Sequence, residues 1–173
     1  KNIKCKGFEL TQYLVDICKE KNLDVSSTSL ENEPNLKYDI ITMFDVLEHL
    51  TSPIDFFKTV NKKIKSGGYI LAYTPNINSF AFHFQKGEQN LLLPYEHVLF
   101  YNQHSLSYLA EETGFTVESI DYYGLDVVDY FSMKGFKDDI NYNENLSDII
   151  PYMQALIDSE KISNHIRIVF KKI

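Results

Sequence analysis

The stretch YDIITMFDVLEHLTSP, residues 38–53, decides how the rest of the chain is interpreted. It begins with an apolar, partly β-branched run, the pattern of a parallel strand that is covered on both faces. Polar residues then follow Phe44 at once, with Asp45, Glu48 and His49 in the next five positions. Open α/β sheets bind their ligands at the carboxyl ends of such strands. The stretch therefore predicts a buried strand that ends at a ligand site.

Two later stretches extend this pattern. KSGGYILAYTPN begins at Lys65, and EHVLFYNQHSLSYLAEETGF begins at Glu96. The succession of D-V-L-E-H, G-G, T-P-N and E-H, followed by a helix that ends in G-F, resembles the class I S-adenosylmethionine-dependent methyltransferases. The resemblance is closest to their small-molecule branch, of the type 11, 12 and 23 kind, and it covers residues 3–123 in the family's order.

The resemblance implies an α/β fold of the Rossmann-like methyltransferase type. Its sheet is mostly parallel, with helices on both faces and one antiparallel strand. We expect one partial, N-terminally truncated domain over residues 1–173, with residues 77–103 as a lid on the acceptor side. The family's first strand and its glycine-rich G-x-G-x-G loop do not occur in the sequence. We therefore expect these residues alone to bind cofactor weakly or not at all.

The missing strand belongs at the centre of the sheet, between the strands that end at Glu9 and at Met43. Its absence leaves two strand edges without partners, and each buried unpaired backbone group costs about 1–3 kcal/mol. We expect the natural polypeptide to be longer at its amino end. In this chain we expect the gap to be closed by strand repacking, by another chain or by residues outside it.

Composition excludes several classes of function. The 173 residues are 44% hydrophobic and 24% charged, which is ordinary globular material for one domain. The net charge of −7 argues against a nucleic-acid partner, because such proteins usually carry a basic patch. No apolar run is long enough to span a membrane. The two cysteines lack metal-type spacing and favour reduced thiols in a cytoplasmic protein.

The first predicted strand, residues 2–8, ends at Glu9. In nucleotide-binding α/β units an acid at this position accepts hydrogen bonds from the ribose hydroxyls. Alternatively, Glu9 is a solvent-facing carboxylate that the dipole of the next helix favours. The polar loop after the second strand is equally well a plain surface loop. The resemblance implies these cofactor contacts: Glu9, Leu10, Ser29, Leu30, Phe44 and Asp45.

Two histidines are candidates for a catalytic base, His49 and His97. Imidazole can serve as a base near neutral pH without a large pKa shift, and Glu48 could orient it. Alternatively, Glu48 and His49 form only a hydrogen-bonded turn. The aromatic-rich residues 77–103 are either an acceptor lid or a satellite core beneath a long loop. The acceptor side is predicted to include Asn76, Phe80, Tyr95, Glu96 and Tyr101.

Several other signals predict local structure. Ser52 and Pro53 start a helix with a capping box, and Ser66-Gly67-Gly68 is predicted to end it. Asp126 and Asp129 could reach the reaction chamber, although a surface connection is the simpler interpretation. Residues 136–148 are polar and asparagine-rich, which predicts a mobile loop.

The predicted function is methyl transfer from S-adenosylmethionine to an oxygen, nitrogen or carbon of a small molecule. The acceptor is a sugar, a quinone precursor or another metabolite, and no metal is predicted because no cluster has ligand spacing. Two alternatives stay open. The chain could be a non-catalytic interaction module, or it could be a nicotinamide-dependent Rossmann enzyme, since an acid at the end of a strand, as Glu9 is, serves either cofactor. The oligomeric state, including a homodimer, is also open.

Overall fold

The chain folds into two compact units, residues 1–37 and residues 38–173. The computed structural model describes residues 3–33, 38–93 and 95–173. No helix among the described residues is long and apolar enough to cross a membrane.

The first unit is a strand, a helix and a second strand in parallel with the first. The strands are shorter than the alternation of the sequence predicts, because only two residues of each strand form pairs with the other strand. Val15 is the fully buried residue of the helix, whereas Tyr13 is 72% exposed. The elements are β1 (Gly7–Phe8), α1 (Gln12–Glu20) and β2 (Val25–Ser26).

The second unit contains a four-stranded sheet and most of the helices. It begins with the strand that the sequence predicts over residues 38–43 and ends with the predicted antiparallel strand. The elements are β3 (Tyr38–Phe44), α2 (Pro53–Lys63), β4 (Ile64–Pro75), α3 (Phe80–Gln85), α4 (Gln103–Thr113), β5 (Phe115–Tyr122), α5 (Asp126–Asp138), α6 (Tyr142–Asn145), α7 (Ile150–Ser159) and β6 (His165–Lys172).

The strand order in this sheet is β3-β4-β6-β5. β3 pairs with β4 in parallel, and β6 runs antiparallel to both of its neighbours. The carboxyl ends of β3 and β4 therefore meet at one edge of the sheet, beside the first residues of β6. This arrangement brings the D-V-L-E-H turn next to the T-P-N end of β4.

One face of this sheet forms the core with α2 and α4. Ile70 and Phe170, which pair across β4 and β6, are fully buried there. Phe57 of α2 makes edge-on contacts with Phe170 and with Phe115, at ring-centroid distances of 5.3 and 5.9 Å. Aromatic pairs in this geometry add to the stability that buried area provides. The helices thus anchor β4, β5 and β6 as one layer.

β3 lies at the edge of the four-stranded sheet. It pairs with β4 alone among the described residues, and Ile40 and Phe44 are 56% and 60% exposed. The covered strand that the apolar run predicts is therefore an edge strand here. No strand of the described residues repacks against it, and the expected extension of the sheet at this edge stays a prediction.

Three local predictions are wrong in whole or in part. Ser52 and Pro53 start α2 as predicted, but the side chain of Ser52 makes no capping hydrogen bond. The glycine pair does not end α2: the helix stops at Lys63, and Gly67, with a φ of +74°, lies in a bulge of the long strand β4. Residues 136–148 are not one irregular loop, because they contain the end of α5 and all of α6.

Candidate active site at the carboxyl ends of β3 and β4

The turn after β3 starts with a strained residue. Asp45 has a φ of +52°, a conformation that non-glycine residues adopt rarely and that clusters at functional sites. Its backbone N–H donates to the carbonyl of Tyr73, at 3.0 Å, which fixes the turn to β4. The side chain of Asp45 and the ring of Phe44 are both exposed at this end of the sheet.

Glu48 is the buried acid of this turn, with only 1% of its surface exposed. Its Oε2 accepts a hydrogen bond from the hydroxyl of Thr74, at 2.9 Å. Its Oε1 has no hydrogen-bond partner among the described residues. Burial raises the pKa of Glu48, while the bond from Thr74 opposes that rise. A carboxylate in this position has one oxygen anchored and one available.

The segment 95–101 packs against the same turn. The N–H groups of Val98 and Leu99 donate to the carbonyl of Glu48, at 2.9 and 3.1 Å. The hydroxyl of Tyr101 donates to the carbonyl of Leu47, at 3.0 Å. Tyr101 is 5% exposed, and burial raises the pKa of its phenol. Its observed contact braces the turn, and its predicted contact with the acceptor stays a prediction.

The two candidate bases lie together. The rings of His49 and His97 are 4.9 Å apart between centroids and meet edge to face. Nδ1 of His49 is 2.7 Å from the carbonyl of Glu96, and Nδ1 of His97 is 2.8 Å from the carbonyl of Leu91. Because a carbonyl can only accept, each Nδ1 carries the proton. Each Nε2 is then left with a lone pair, as a base requires.

A third histidine adjoins this pair, and the sequence patterns did not single it out. His165 stacks on Tyr73 with ring centroids 4.4 Å apart, because β6 pairs with β4 in the register that sets His165 opposite Pro75. Burial lowers the pKa of His165 to about 4, with a smaller lowering from His97 and an opposing effect of Asp45. Burial and the charge of Asp45 raise the pKa of Tyr73 to about 12.

Asn76 ends the T-P-N stretch and is 1% exposed. Its side chain donates to the carbonyl of Ser163 at 2.9 Å and accepts from the N–H of Asn78 at 3.0 Å. The amide therefore holds the end of β4 against the start of β6. Its predicted contact with the acceptor stays a prediction, with both amide groups already engaged.

Asp126 belongs to a buried polar network beside this strand end. Its Oδ2 accepts from the N–H of Asn164 at 2.9 Å and from Gln154 at 3.1 Å, and burial raises its pKa. Asn164 also donates to Asp129, at 3.2 Å. Asp126 is 2% exposed, so the interpretation of this region as a surface connection is wrong. The periodic pattern of the sequence does not distinguish a buried acid that is hydrogen-bonded from an exposed one.

The remaining acceptor-side predictions lie on the surface of the second unit. Phe80 is 44% exposed and stacks on Phe84 at 5.3 Å. Tyr95 is fully exposed, and Glu96 is exposed but offers its carbonyl to His49. Phe80, Tyr95 and Glu96 therefore stay predicted acceptor contacts, and the observed role of Glu96 is to orient His49.

The first unit carries four of the six predicted cofactor contacts. Oε1 of Glu9, just beyond β1, accepts from the N–H of Thr11 at 2.7 Å, and this bond lowers the pKa of Glu9. Leu10 is 77% exposed. Ser29 precedes a short 3₁₀ turn that starts at Leu30, and both are partly exposed. The lowered pKa keeps Glu9 ionised at neutral pH, and its contact with the ribose stays a prediction.

Described residues of the second unit line a concavity of about 500 Å³ on the sheet face opposite the core, with Phe44, Tyr73, Arg167 and neighbouring residues around it. Another, of about 480 Å³, lies around α5 and α6 and includes none of the predicted site residues. Of the predicted site residues, the first concavity includes Phe44, which precedes the polar turn.

Comparison with known proteins identifies a family whose model matches most of this chain. Residues 2–120 match the model of a family that is described as a methyltransferase domain. No curated protein sequence matches the chain significantly.

Several solved structures share the fold. A SAM dependent methyltransferase from Archaeoglobus fulgidus is 18% identical with a TM-score of 0.64, over 98% of this chain and 76% of that one. A possible histamine N-methyltransferase from Thermotoga maritima is 16% identical with a TM-score of 0.64, over 96% and 72%. An O-methyltransferase of a multienzyme from Brevibacillus brevis, in complex with S-adenosyl-L-homocysteine, is 16% identical with a TM-score of 0.60, over 98% and 59%.

Proposed function

Because the chain belongs to the class I S-adenosylmethionine-dependent methyltransferases of the type 11, 12 and 23 kind, we propose that it methylates a small-molecule acceptor with His49 or His97 as the base. Its methyl donor is S-adenosylmethionine. Membership in this family removes the support for a nicotinamide cofactor.

The observation that carries the proposal is the orientation of the two imidazoles. Backbone carbonyls hold the Nδ1 protons of both rings, so each Nε2 has its lone pair and a fixed direction. A base in a fixed position can remove a proton as the new bond forms, which contributes about 10²–10⁴-fold in rate. Such a base favours a hydroxyl acceptor, since an amine with a free lone pair needs none.

The proposed step is an in-line displacement at the sulfonium methyl group. The acceptor oxygen forms a bond to the methyl carbon while the carbon–sulfur bond breaks and its electron pair stays on sulfur. The acceptor proton passes to Nε2 of the base, and S-adenosylhomocysteine leaves. Most of the catalysis is alignment of the two reactants in a site that excludes water.

The proposed cofactor contacts are assigned in each unit by itself. In the first unit we assign the ribose hydroxyls to Glu9, whose ionised carboxylate can accept both, with Leu10, Ser29 and Leu30 as further contacts. In the second unit we assign Phe44, the last residue of β3, and Asp45, which follows it, as cofactor contacts. Support comes from the low pKa of Glu9 and from the exposure of Phe44.

Titration calorimetry with S-adenosylhomocysteine tests the cofactor contacts. Because the glycine-rich loop does not occur in the sequence, the ligand is used at millimolar concentration. We expect Glu9→Gln to weaken binding at least about 10-fold, since the amide cannot accept two hydroxyl protons as the carboxylate does. Glu20→Gln, an exposed acid at the end of α1, is the matched control and should bind normally. Equal affinities of the two variants would remove Glu9 from the site.

Methyl transfer itself is tested with labelled S-adenosylmethionine and a panel of small hydroxyl and amine acceptors. His49→Asn and His97→Asn keep a donor for the orienting carbonyl and remove Nε2. We expect one of them to lose about 10²-fold or more in kcat/KM with a hydroxyl acceptor. Unchanged activity in both variants would exclude a histidine base.

A further inference from the structure

We propose that Glu48, His49 and His97 form a binding site for a divalent transition-metal ion of the Zn²⁺ class. One potential ligand atom from each of the three side chains lies within 4.8 Å of the other two. Spacing along the chain could not reveal this group, because His97 comes from the segment that folds back over the turn. The tertiary structure brings the three together.

The histidines are already oriented as metal ligands. In metal sites the coordinating ring nitrogen is neutral, and the other ring N–H usually donates to a carbonyl or carboxylate that fixes the ring. Both rings follow this arrangement, since Nδ1 of His49 donates to Glu96 and Nδ1 of His97 donates to Leu91. Their Nε2 atoms are therefore the coordinating atoms.

The carboxylate has the same kind of support. Thr74, which is fully buried, donates to Oε2 of Glu48 and holds the group in place. Oε1 is buried and has no hydrogen-bond partner among the described residues. An unpartnered buried carboxylate oxygen is costly, and a coordinated cation satisfies it. This orphaned oxygen is an observation independent of the clustering.

The donor set identifies the class of ion. Two imidazoles and one carboxylate are the protein ligands of catalytic zinc sites, whereas Ca²⁺ and Mg²⁺ select oxygen ligands. Metal–ligand bonds of about 2.0–2.2 Å place tetrahedral ligand atoms about 3.4 Å apart. The ligand atoms, which lie within 4.8 Å of one another, must therefore move closer together when the ion binds. The exposed position of His49 on the surface provides a path of entry for the ion.

A metal here would change the chemistry of the proposed function. Three protein ligands leave a coordination position open, and a hydroxyl oxygen bound there loses its proton more readily. With the ion bound, both Nε2 atoms are ligands and the ion replaces the imidazole as the activator of the acceptor. This consequence rests on the proposed function, whereas metal binding does not and can be measured without cofactor or acceptor.

The test is titration calorimetry of ZnCl₂ into the chelator-treated protein, in a Cys5→Ser, Cys18→Ser background that removes the free thiols. Co²⁺ is the second probe, because its visible absorption reports the coordination geometry. We expect one site, at least 10-fold weaker in Glu48→Gln, His49→Asn and His97→Asn. Glu48→Gln keeps the shape of the side chain and an oxygen that can accept from Thr74, and each His→Asn replacement keeps a donor for the orienting carbonyl while removing Nε2. Circular dichroism of each variant verifies that it is folded.

His104→Asn is the matched control, because His104 is an exposed histidine on α4 outside the cluster. It should bind Zn²⁺ as the parent does and give the same Co²⁺ spectrum. Two results would overturn the proposal: no saturable binding by the folded parent, or equal affinity in the parent and all three cluster variants. Absence of methyl transfer by a parent protein that binds the metal would count against the proposed function and not against this site.

Discussion

Burial of ionisable side chains at the ends of β3 and β4 sets the electrostatic character of the site. Glu48 and Asp126 are carboxyl groups whose pKa burial raises, and His165 is an imidazole whose pKa burial lowers. In each case burial disfavours the charged form. The pKa shifts of the two acids and of the histidine have opposite signs, and all of them contribute to the pH dependence of the stability of the whole protein. Single-residue variants are needed to separate these contributions.

The pH dependence of the free energy of unfolding should reflect the protonation of His165. Its folded pKa of about 4 lies below the ordinary value of 6.5, so between these values the unfolded chain binds more protons than the folded one. The free energy of unfolding therefore falls as pH drops from 6.5 towards 4, by up to about 3 kcal/mol from this group. His165→Asn keeps a donor for Asn164 and should flatten this part of the profile. Urea unfolding at several pH values, with chelator present, measures it. Parallel profiles for the parent and the variant would show that His165 is not the group responsible.

Gly124 should not tolerate a side chain. A Cβ there would overlap the side-chain oxygen of Asn164 and lie 2.7 Å from Oδ2 of Asp126, inside the buried network. We expect Gly124→Ala to lower the free energy of unfolding by about 1–3 kcal/mol, as overpacking does. Gly87→Ala is the control, because nothing lies within 4 Å of its added Cβ. It should be neutral or stabilising by under about 1 kcal/mol, measured by urea unfolding. Equal effects of the two changes would contradict the close packing at Gly124.

At the scale of elements, two helix starts with similar sequence signals behave differently. Asn102, before α4, accepts from the N–H of Ser105 at 2.9 Å, and Oγ of Ser105 accepts from the N–H of Asn102 at 3.0 Å. This is a reciprocal capping box. Ser52, before α2, has proline at the next position but makes no such bond. Only Asn102 stabilises its helix through a side-chain hydrogen bond.

The two caps predict different costs on truncation. Asn102→Ala should lower the free energy of unfolding by about 0.5–2 kcal/mol, because an orphan N–H of α4 loses its acceptor. Ser52→Ala should cost under about 0.5 kcal/mol, since no side-chain bond is lost. Thermal or urea unfolding of the pair measures both under the same conditions. A larger loss in Ser52→Ala than in Asn102→Ala would reverse the assignment of the caps.

The strand β4 contains a glycine pair that the local sequence pattern assigns to the end of a helix. A glycine pair after a helix predicts a left-handed helix stop, and Gly67 does have a positive φ. The chain nevertheless leaves α2 at Lys63 in an extended conformation, and the turn falls inside the strand. A Cβ at Gly68 would lie 2.9 Å from the carbonyl of Asp39 on β3, so close pairing with the neighbouring strand needs this glycine.

At the scale of the whole molecule, the second unit depends on one aromatic junction. Phe57, Phe115 and Phe170 join α2, β5 and β6, and Phe57 is completely buried. We expect Phe57→Ala to lower the free energy of unfolding by about 3–5 kcal/mol, through lost burial and the cavity that remains. Phe136→Ala, at a residue that is 91% exposed, should change it by under about 0.5 kcal/mol. A small effect at Phe57 in chemical unfolding would mean that this junction is not the centre of the core.

Much of the fold could be predicted from local patterns. The order of the six strands from β1 to β6 follows from hydrophobic periodicity, whereas the helices α3, α5 and α6 were not predicted. The helix stop at Gly114 is observed with the expected positive φ. The antiparallel final strand was also predicted correctly. The boundaries of β1 and the end of α2 were not, because the length of a strand depends on whether a neighbour is present to pair with it.

The sequence by itself determined the methyltransferase fold class and the position of the polar turn after β3, because strand periodicity and the residues that follow it lie within a short stretch of chain. Only the tertiary structure decided that His97 faces His49, that Thr74 anchors Glu48 and that His165 stacks on Tyr73. Each of these contacts joins separate segments. Their geometry depends on strand register and on the path of residues 95–101 over the turn, which no local pattern encodes.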